Sequence, residues 1–399
     1  MVLRPVLLTV LVSGSARFEC RTDLPIWRDI WETYTSLRHS DSFDYSTALR
    51  FRMLLHETVL NNHTAVLDCN SGVIAGYMLI ASKVEKSEPE VAYRSLQMAM
   101  VFVYTLRYTK QRIPKSVEIE WGISKDDLSK RIIEMKSKFG NVVKTQHSVV
   151  GVQTKIGIVS ICAYPENRNL ILDKITPLNR QKYAHLHGYD AIIYTSHPVG
   201  PNSSVSIQHS KLELMRTLVD SRKYDWLMWT DCDSVIINRN RKIEDIIAEY
   251  VEDDSADLLI TEELFGLSST NWIIRSSQWS SNFLAQAFDI AHNQLPLLGD
   301  QDAIISLAIG RGQLDNHIKI IPQNVINAYD ALNSFAMGGG GYEPGDLLIT
   351  FPQCQDENCN PLFYEAFKTS EDGSIPSANR TVTQLRVFGP VGELLNFKL

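Results

Sequence analysis

The chain has no basic stripe. Its longest stretch of that kind is "NRNRK", Asn238 to Lys242, and the net charge over 399 residues is −7. A polyanion needs a clustered positive surface, so nucleic acid is excluded as the main partner. No G-x-G-x-x-G follows the first apolar strand, which excludes a dinucleotide cofactor. No G-x-x-x-x-G-K-[ST] occurs, which excludes a P-loop ATPase. The apolar run "MAMVFVY", Met98 to Tyr104, is too short to cross a bilayer. Cysteine is scarce, with six residues and no C-x-x-C, so neither a disulfide framework nor a zinc or redox signature is present. No internal repeat or long low-complexity tract is visible. Histidine stops at His317.

What is present is ordinary for a globular protein: 44% hydrophobic and 21% charged residues. The length allows a sizeable core without help from a metal or disulfide. Residues 1–16, "MVLRPVLLTVLVSGSA", read as a candidate signal peptide with a minimal apolar region; the competing reading is an N-terminal strand. Residues 17–150 carry no chemical constellation. There "KSVEIEW" reads as a strand, and "SKDDLSKRIIEMKSKFG" as a helix capped by Ser124 and stopped by Gly140. Sequons begin at Asn62, Asn202 and Asn379, about the number chance gives. Cys162 and Cys232 read as buried thiols. Cys354 and Cys359, in "CQDENC", are candidates to form a bridge, or to share in one, in an oxidising lumen.

From residue 151 to about 365 the pattern becomes regular. "KIGIVSICAY" is a continuous apolar run, as expected of a strand buried on both faces. "TPLNRQKYAHLHG" predicts a helix with Thr176 as N-cap, Pro177 in the first turn and Gly188 at the stop. "YDAIIYT" predicts a second strand, "SKLELMRTLVDS" an amphipathic helix, and "YDWLMW" a third strand. This alternation implies an α/β domain with a mainly parallel sheet and right-handed crossovers. Ligands in such sheets bind beyond the carboxyl ends of the strands, where Asp231 and Asp233 fall. If the backbone stays extended there, both carboxylates point to one side and Cys232 turns into the core. Two convergent carboxylates call for a shared proton or a cation. Hard oxygen ligands suit Mn²⁺ or Mg²⁺, which in turn suits a nucleoside diphosphate.

"NRQKYAHLHGYDAIIY", "SKLELMRTL" and "YDWLMWTDCDSVIIN", then "GLSSTNWIIRSSQWSSNFL", "GDQDAI", "IKIIPQNVINAY" and "GDLLITFPQC", together resemble glycosyltransferase family 34 in order, over about Lys155 to Cys359. That family includes fungal α-galactosyl- and mannosyltransferases and plant xylosyltransferases. The resemblance implies a GT-A Rossmann-like fold; residues 17–150 before it read as an N-terminal α/β region of unclear fold, and residues 366–399 as a C-terminal tail. It implies a UDP- or GDP-sugar donor, a glycan acceptor, Mn²⁺ or Mg²⁺, retention of anomeric configuration, and a place in the secretory pathway, in the Golgi, with membrane association. Carried over by position, Asp231 and Asp233 would hold the metal, with Asp231 and Lys211 beside the donor. Asp300 and Gln301 would face the sugar and acceptor. Tyr164 is a candidate to stack on the donor's base, with plain packing as its alternative.

Two motifs depart from the family pattern. In the end motif the histidine corresponds to Thr350 and the following glycine to Gln353, and the N-x-G corresponds to Ser268, Ser269 and Thr270. A Thr350→His change is therefore expected to strengthen Mn²⁺ binding. The four glycines Gly338 to Gly341 read as a flap over the donor or as a plain loop. The departures leave a second reading open, a degenerate GT-A domain that binds nucleotide or glycan without turnover. A metal phosphoesterase is a third.

Overall fold

A computed structural model describes residues 25–40, 45–61, 70–109 and 125–136, then 154–372 apart from short stretches, and the strands 384–388 and 394–398. The signal-peptide reading, the strand read at 115–121 and the sequon asparagines lie outside these residues, as do Gly338 and Gly339 of the four-glycine run.

The chain divides into two compact units. The first comprises residues 1–140, 264–266 and 289–312. Its described elements before 140 are helices: α1 (Pro25–His39), α2 (Tyr45–Asn61), α3 (Asn70–Val84), α4 (Pro89–Thr109) and α5 (Lys125–Lys136). Apolar residues cover most of α3, where Val73 to Ala81 are buried without a break. A helix apolar on all sides is a core helix, and α3 packs on α2 and α4.

The second unit comprises residues 141–263, 267–288 and 313–399. Its elements run β1 (Ile156–Ile161), α6 (Leu172–His187), β2 (Asp190–Tyr194), α7 (Ile207–Asp220), β3 (Trp226–Thr230), β4 (Ser234–Ile236), α8 (Ile243–Tyr250), β5 (Leu258–Glu263), β6 (Gly266–Arg275, from Leu267 on) and α9 (Gln278–Asp289, to Phe288). After the segment that belongs to the first unit, which carries α10 (Asp300–Gly310), come β7 (Ile318–Ile321), α11 (Gln323–Asn327), β8 (Ala328–Tyr329), β9 (Leu348–Thr350), α12 (Asn360–Asp372) and the antiparallel hairpin β10 (Gln384–Phe388) and β11 (Leu394–Lys398).

The main sheet has the order β2-β1-β3-β6-β5-β7. β1 pairs in parallel with β2 and β3, and β5 with β7, while β3 and β6 run antiparallel. The three strands read from the sequence are therefore neighbours, in an α/β unit with a mainly parallel sheet. Burial follows the sheet order: β3, inside the sheet, is buried at every residue, and edge strand β2 is only half-buried. From β1 the chain goes first to one side, to β2, and then crosses to the other, to β3. The switch point of the topology thus lies beyond the carboxyl ends of β1 and β3.

Two local expectations change. Helix α6 begins at Leu172, one turn earlier than predicted, so Thr176 is not its N-cap. Thr176 lies inside the helix, fully buried, and its hydroxyl donates to the carbonyl of Cys232 at 2.7 Å. The tertiary acceptor outweighs the local capping preference. Gly188 does end the helix in the left-handed conformation, φ 75°. The second change concerns Cys162 and Cys232, which are buried as expected but joined as a disulfide, with Cα atoms 5.2 Å apart. They are not free thiols. Parallel neighbours β1 and β3 end side by side, which brings residues 70 apart in sequence within bonding range. Cys354 and Cys359 are also bridged.

A thiol reagent should therefore find neither Cys162 nor Cys232 in the folded, oxidised protein. Cys232→Ser should cost about 2–4 kcal/mol in denaturant unfolding, the usual worth of such a crosslink. Labelling of Cys232 in unreduced protein would contradict the pairing.

Candidate active site

The carboxyl end of β3 carries the acidic pair. The backbone does not stay extended there: residues 231–233 form a turn between β3 and β4, closed by Ser234 N–H donating to the Asp231 carbonyl at 3.2 Å. The expected inward Cys232 is found, but a turn rather than a strand puts it there. Cys232 joins a core cluster with Val235, Ile349, Phe351 and Phe363. Burying each of the large side chains contributes about 1.5–3 kcal/mol, so the turn rests on a firm base.

Asp231 is partly exposed, with 33% of its side chain open. Its Oδ1 accepts from the Trp229 indole at 2.6 Å and from the Lys211 ammonium at 3.4 Å. Lys211 is buried on α7, a helix capped by Ser206. Its ammonium also donates to the Ser269 carbonyl at 2.9 Å and sits 5.2 Å from the Trp229 ring centroid. Asp233 differs. Its Oδ1 is buried and has no hydrogen-bond partner. Burial, then the charge of Asp231, pushes its carboxyl up to about 8.

A buried carboxylate oxygen without a donor is costly unless a cation or proton reaches it. With the nearby Asp231 carboxylate it makes a two-carboxylate, hard-oxygen set that fits Mn²⁺ or Mg²⁺. Among the described residues no cluster of three or more His, Cys, Asp or Glu adds further ligands. Thr350 does not extend the set. It is buried, and its hydroxyl lies 2.9 Å from Ser234 Oγ, accepts from Asn271 Nδ2 at 2.9 Å and donates to Asn327 Oδ1 at 3.1 Å. Asn327 Nδ2 in turn donates to Ser268 Oγ at 3.1 Å and to Glu263 at 2.7 Å. Two of the departures from the family pattern, Ser268 and Thr350, thus end on one buried amide.

A family model described as the galactosyl transferase GMA12/MNN10 family matches residues 156–253 and 247–360, together just over half of the chain. The chain belongs to glycosyltransferase family 34. An alpha-1,2-galactosyltransferase of Schizosaccharomyces pombe is 25% identical over 236 residues, 49% of this chain and 60% of that protein. A probable alpha-1,6-mannosyltransferase MNN10 of Saccharomyces cerevisiae is 21% identical over 189 residues, 40% of this chain and 48% of that protein. The chain thus spans about half to three fifths of the length of these relatives. Among solved structures, a glycosyltransferase involved in glycosylation of the major capsid of PBCV-1 is 13% identical, with a TM-score of 0.41 over 55% of this chain and 99% of that one. The glycosyltransferase GlyE of Streptococcus pneumoniae TIGR4 gives 13% and 0.35, over 58% of this chain and 68% of that one.

Asp231, Asp233 and Lys211 gather at one spot. Tyr164, just past β1, is half-buried and packs on the cluster that holds Cys162 and Cys232. Asp300 and Gln301 open helix α10, which belongs to the first unit. There α10 packs on α2 and α4, and Arg52 of α2 donates to the Ile309 carbonyl at 3.0 Å, in the helix's last turn. Among the described residues no helix is long and apolar enough to cross a membrane.

Sequence reading missed Arg180, Glu263, Asn271 and Asn327. Arg180 carried a usable signal: Thr176, Asn179 and Arg180 form a polar stripe at helical spacing beside the apolar Ile175, Tyr183 and Ala184.

Asp302, on the same helix as Asp300, is pushed up to about 7, first by burial and then by the charge of Asp300. A raised carboxylate binds its proton more tightly when folded. Its contribution to stability is complete below the ordinary value of 3.8 and is lost as pH rises through about 7. Thermal midpoints of Asp302→Asn should therefore fall less between those pH values than those of the parent. Equal slopes would refute the assignment.

Proposed function

We propose that the chain is a metal-dependent, retaining glycosyltransferase that moves a hexosyl or pentosyl unit from a nucleoside-diphosphate sugar to a glycan acceptor in the secretory pathway. The observation that carries this reading is the acidic turn at the switch point of the parallel sheet, with a buried Asp233 oxygen that lacks a donor. Family membership supports sugar transfer; the printed names of the relatives support galactose or mannose as the first sugars to try. Asp231 and Asp233 would hold Mn²⁺ or Mg²⁺. When bound, the ion supplies positive charge for the diphosphate oxygens. Lys211 adds a fixed positive charge beside Asp231, ready before any donor arrives. Tyr164 is assigned to the donor's base by its place just past β1, and Asp300 and Gln301 to the sugar and acceptor on the family's motif positions. The test is release of nucleoside diphosphate from UDP-galactose, GDP-mannose and UDP-xylose, with and without Mn²⁺. Release that needs the metal is expected; metal-independent release would remove the metal from the proposal.

A second reading has an observation of its own. Thr350 and Ser268 are tied into a buried network instead of facing a ligand. A binding domain without turnover would keep that network and bind nucleotide, yet release nothing from any of the three donors.

A further inference from the structure

We propose that one face of helix α6 is the positioning element of the acidic turn, with Arg180 as its determining residue; what the turn does rests on the function proposed above. Thr176, Asn179 and Arg180 stand at i, i+3 and i+4 on α6, so they share one face. All three are buried, at 0%, 2% and 0% exposure, where polar side chains are uncommon. Most of their partners are backbone groups of one short segment; Asn179 also donates to Ser370 Oγ at 3.3 Å. Thr176 Oγ1 donates to the carbonyl of Cys232 at 2.7 Å. Arg180 Nη2 donates to the carbonyls of Asp231 at 3.3 Å and Ser234 at 2.6 Å, and to the Thr230 hydroxyl at 2.9 Å. Asn179 donates to the Ile236 carbonyl at 2.9 Å and accepts from the Ile236 N–H at 2.9 Å, as a neighbouring strand would. Arg180 Nη1 donates to the same Asn179 oxygen at 2.6 Å, which joins the two residues.

The carbonyls of residues 231, 232, 234 and 236 are thus all anchored on α6. That fixes the rotation of the turn without using either carboxylate. The Asp231 carboxylate keeps its bonds to Trp229 and Lys211, and Asp233 Oδ1 is not spent on the anchoring. The guanidinium would be expensive to bury alone, and the charges of Asp233 and Asp231 act on it in its favour. Arginine suits the task because its planar fork reaches several oxygens at fixed angles; lysine offers a single point of charge. Arg180 touches no reacting atom in this account and acts through the turn.

The test uses the full chain with Arg180→Lys, which keeps the charge and loses the fork, and Thr176→Val, which keeps the shape and loses one bond. Three quantities are measured: backbone hydrogen exchange, Mn²⁺ binding in the presence of UDP by the loss of the free-ion EPR signal, and kcat and KM for UDP-galactose and GDP-mannose. In Arg180→Lys exchange should rise at residues 231–236 while β1 and β5 stay protected. Mn²⁺ affinity should fall about 10–100-fold, the usual effect of losing an outer partner of a metal site. The kcat should fall about 10²-fold, as for a small misplacement of catalytic groups. Thr176→Val should show the same pattern more weakly, and decides the matter if Arg180→Lys does not fold. Exchange unchanged at the turn, or raised equally across the sheet, would overturn the proposal. If the parent releases no nucleoside diphosphate, the proposed function fails, and the local exchange pattern still decides the positioning role.

Discussion

Asp231→Asn should leave the fold intact and remove Mn²⁺-dependent nucleotide binding. The substitution preserves shape. The amide oxygen can still accept from the Trp229 indole and the Lys211 ammonium, now at 2.6 Å and 3.4 Å. The charge that offsets a divalent cation is lost, and hard cations prefer charged oxygens. Turnover should fall roughly 10²–10³-fold, the scale on which one preorganised electrostatic contact acts. Stability should change little: losing the charge relieves Asp233 but takes a counter-charge from the buried Lys211 and Arg180. The measurements are calorimetric titration of Mn²⁺ with UDP present, and thermal unfolding, on parent and variant. Equal Mn²⁺-dependent affinity in the two proteins would reject a metal role for Asp231. A lost titration together with a collapsed melting curve would mean that the carboxylate is a structural partner of Lys211 and nothing more.

The strand and helix alternation from Ile156 to Thr230 was legible because each strand there is a continuous apolar run and each helix has a clear apolar side. Burial on both faces of a parallel sheet produces that pattern directly. The place of the acidic pair followed from the same logic. The shape of the turn did not, since D-C-D reads equally well as an extended strand. Nor did the Cys162–Cys232 bridge, which depends on strands 70 residues apart lying side by side. Thr176 shows the limit of local rules. Its position before Pro177 matches a cap, yet its hydroxyl serves a carbonyl 56 residues away. The polar network below the turn was also hidden. Ser234, Ser268, Asn271, Asn327 and Thr350 come from four separate elements, and nothing in their local sequence joins those elements. Asp300 and Gln301 were legible as a motif, but not as members of the unit built on the N-terminal helices.

Thr350→His should therefore not behave as position-by-position comparison suggests. Restoring the family's histidine is expected from sequence to strengthen metal binding. In the folded protein the Thr350 side chain is 1% exposed, in register with Ser234 across β4 and β9. Its hydroxyl both accepts from Asn271 and donates to Asn327. An imidazole there must displace those amides or turn out of the core. Overpacking costs about 1–3 kcal/mol, and the polar groups left unmet cost about 1–3 kcal/mol more. The variant should thus unfold at clearly lower denaturant and bind Mn²⁺ no more tightly than the parent in the absence of donor. Asn271→Ser, which removes volume and one donor from the same contact, should recover part of the loss when combined with Thr350→His. The two residues touch, so their effects should couple by about 0.5–3 kcal/mol in a double-mutant cycle. Denaturant unfolding of the four proteins gives the coupling, and a Mn²⁺ titration of each gives the metal affinity. A single variant as stable as the parent and clearly tighter for Mn²⁺ would show that position 350 reaches the carboxylates, and that the buried network yields to a ligand at little cost.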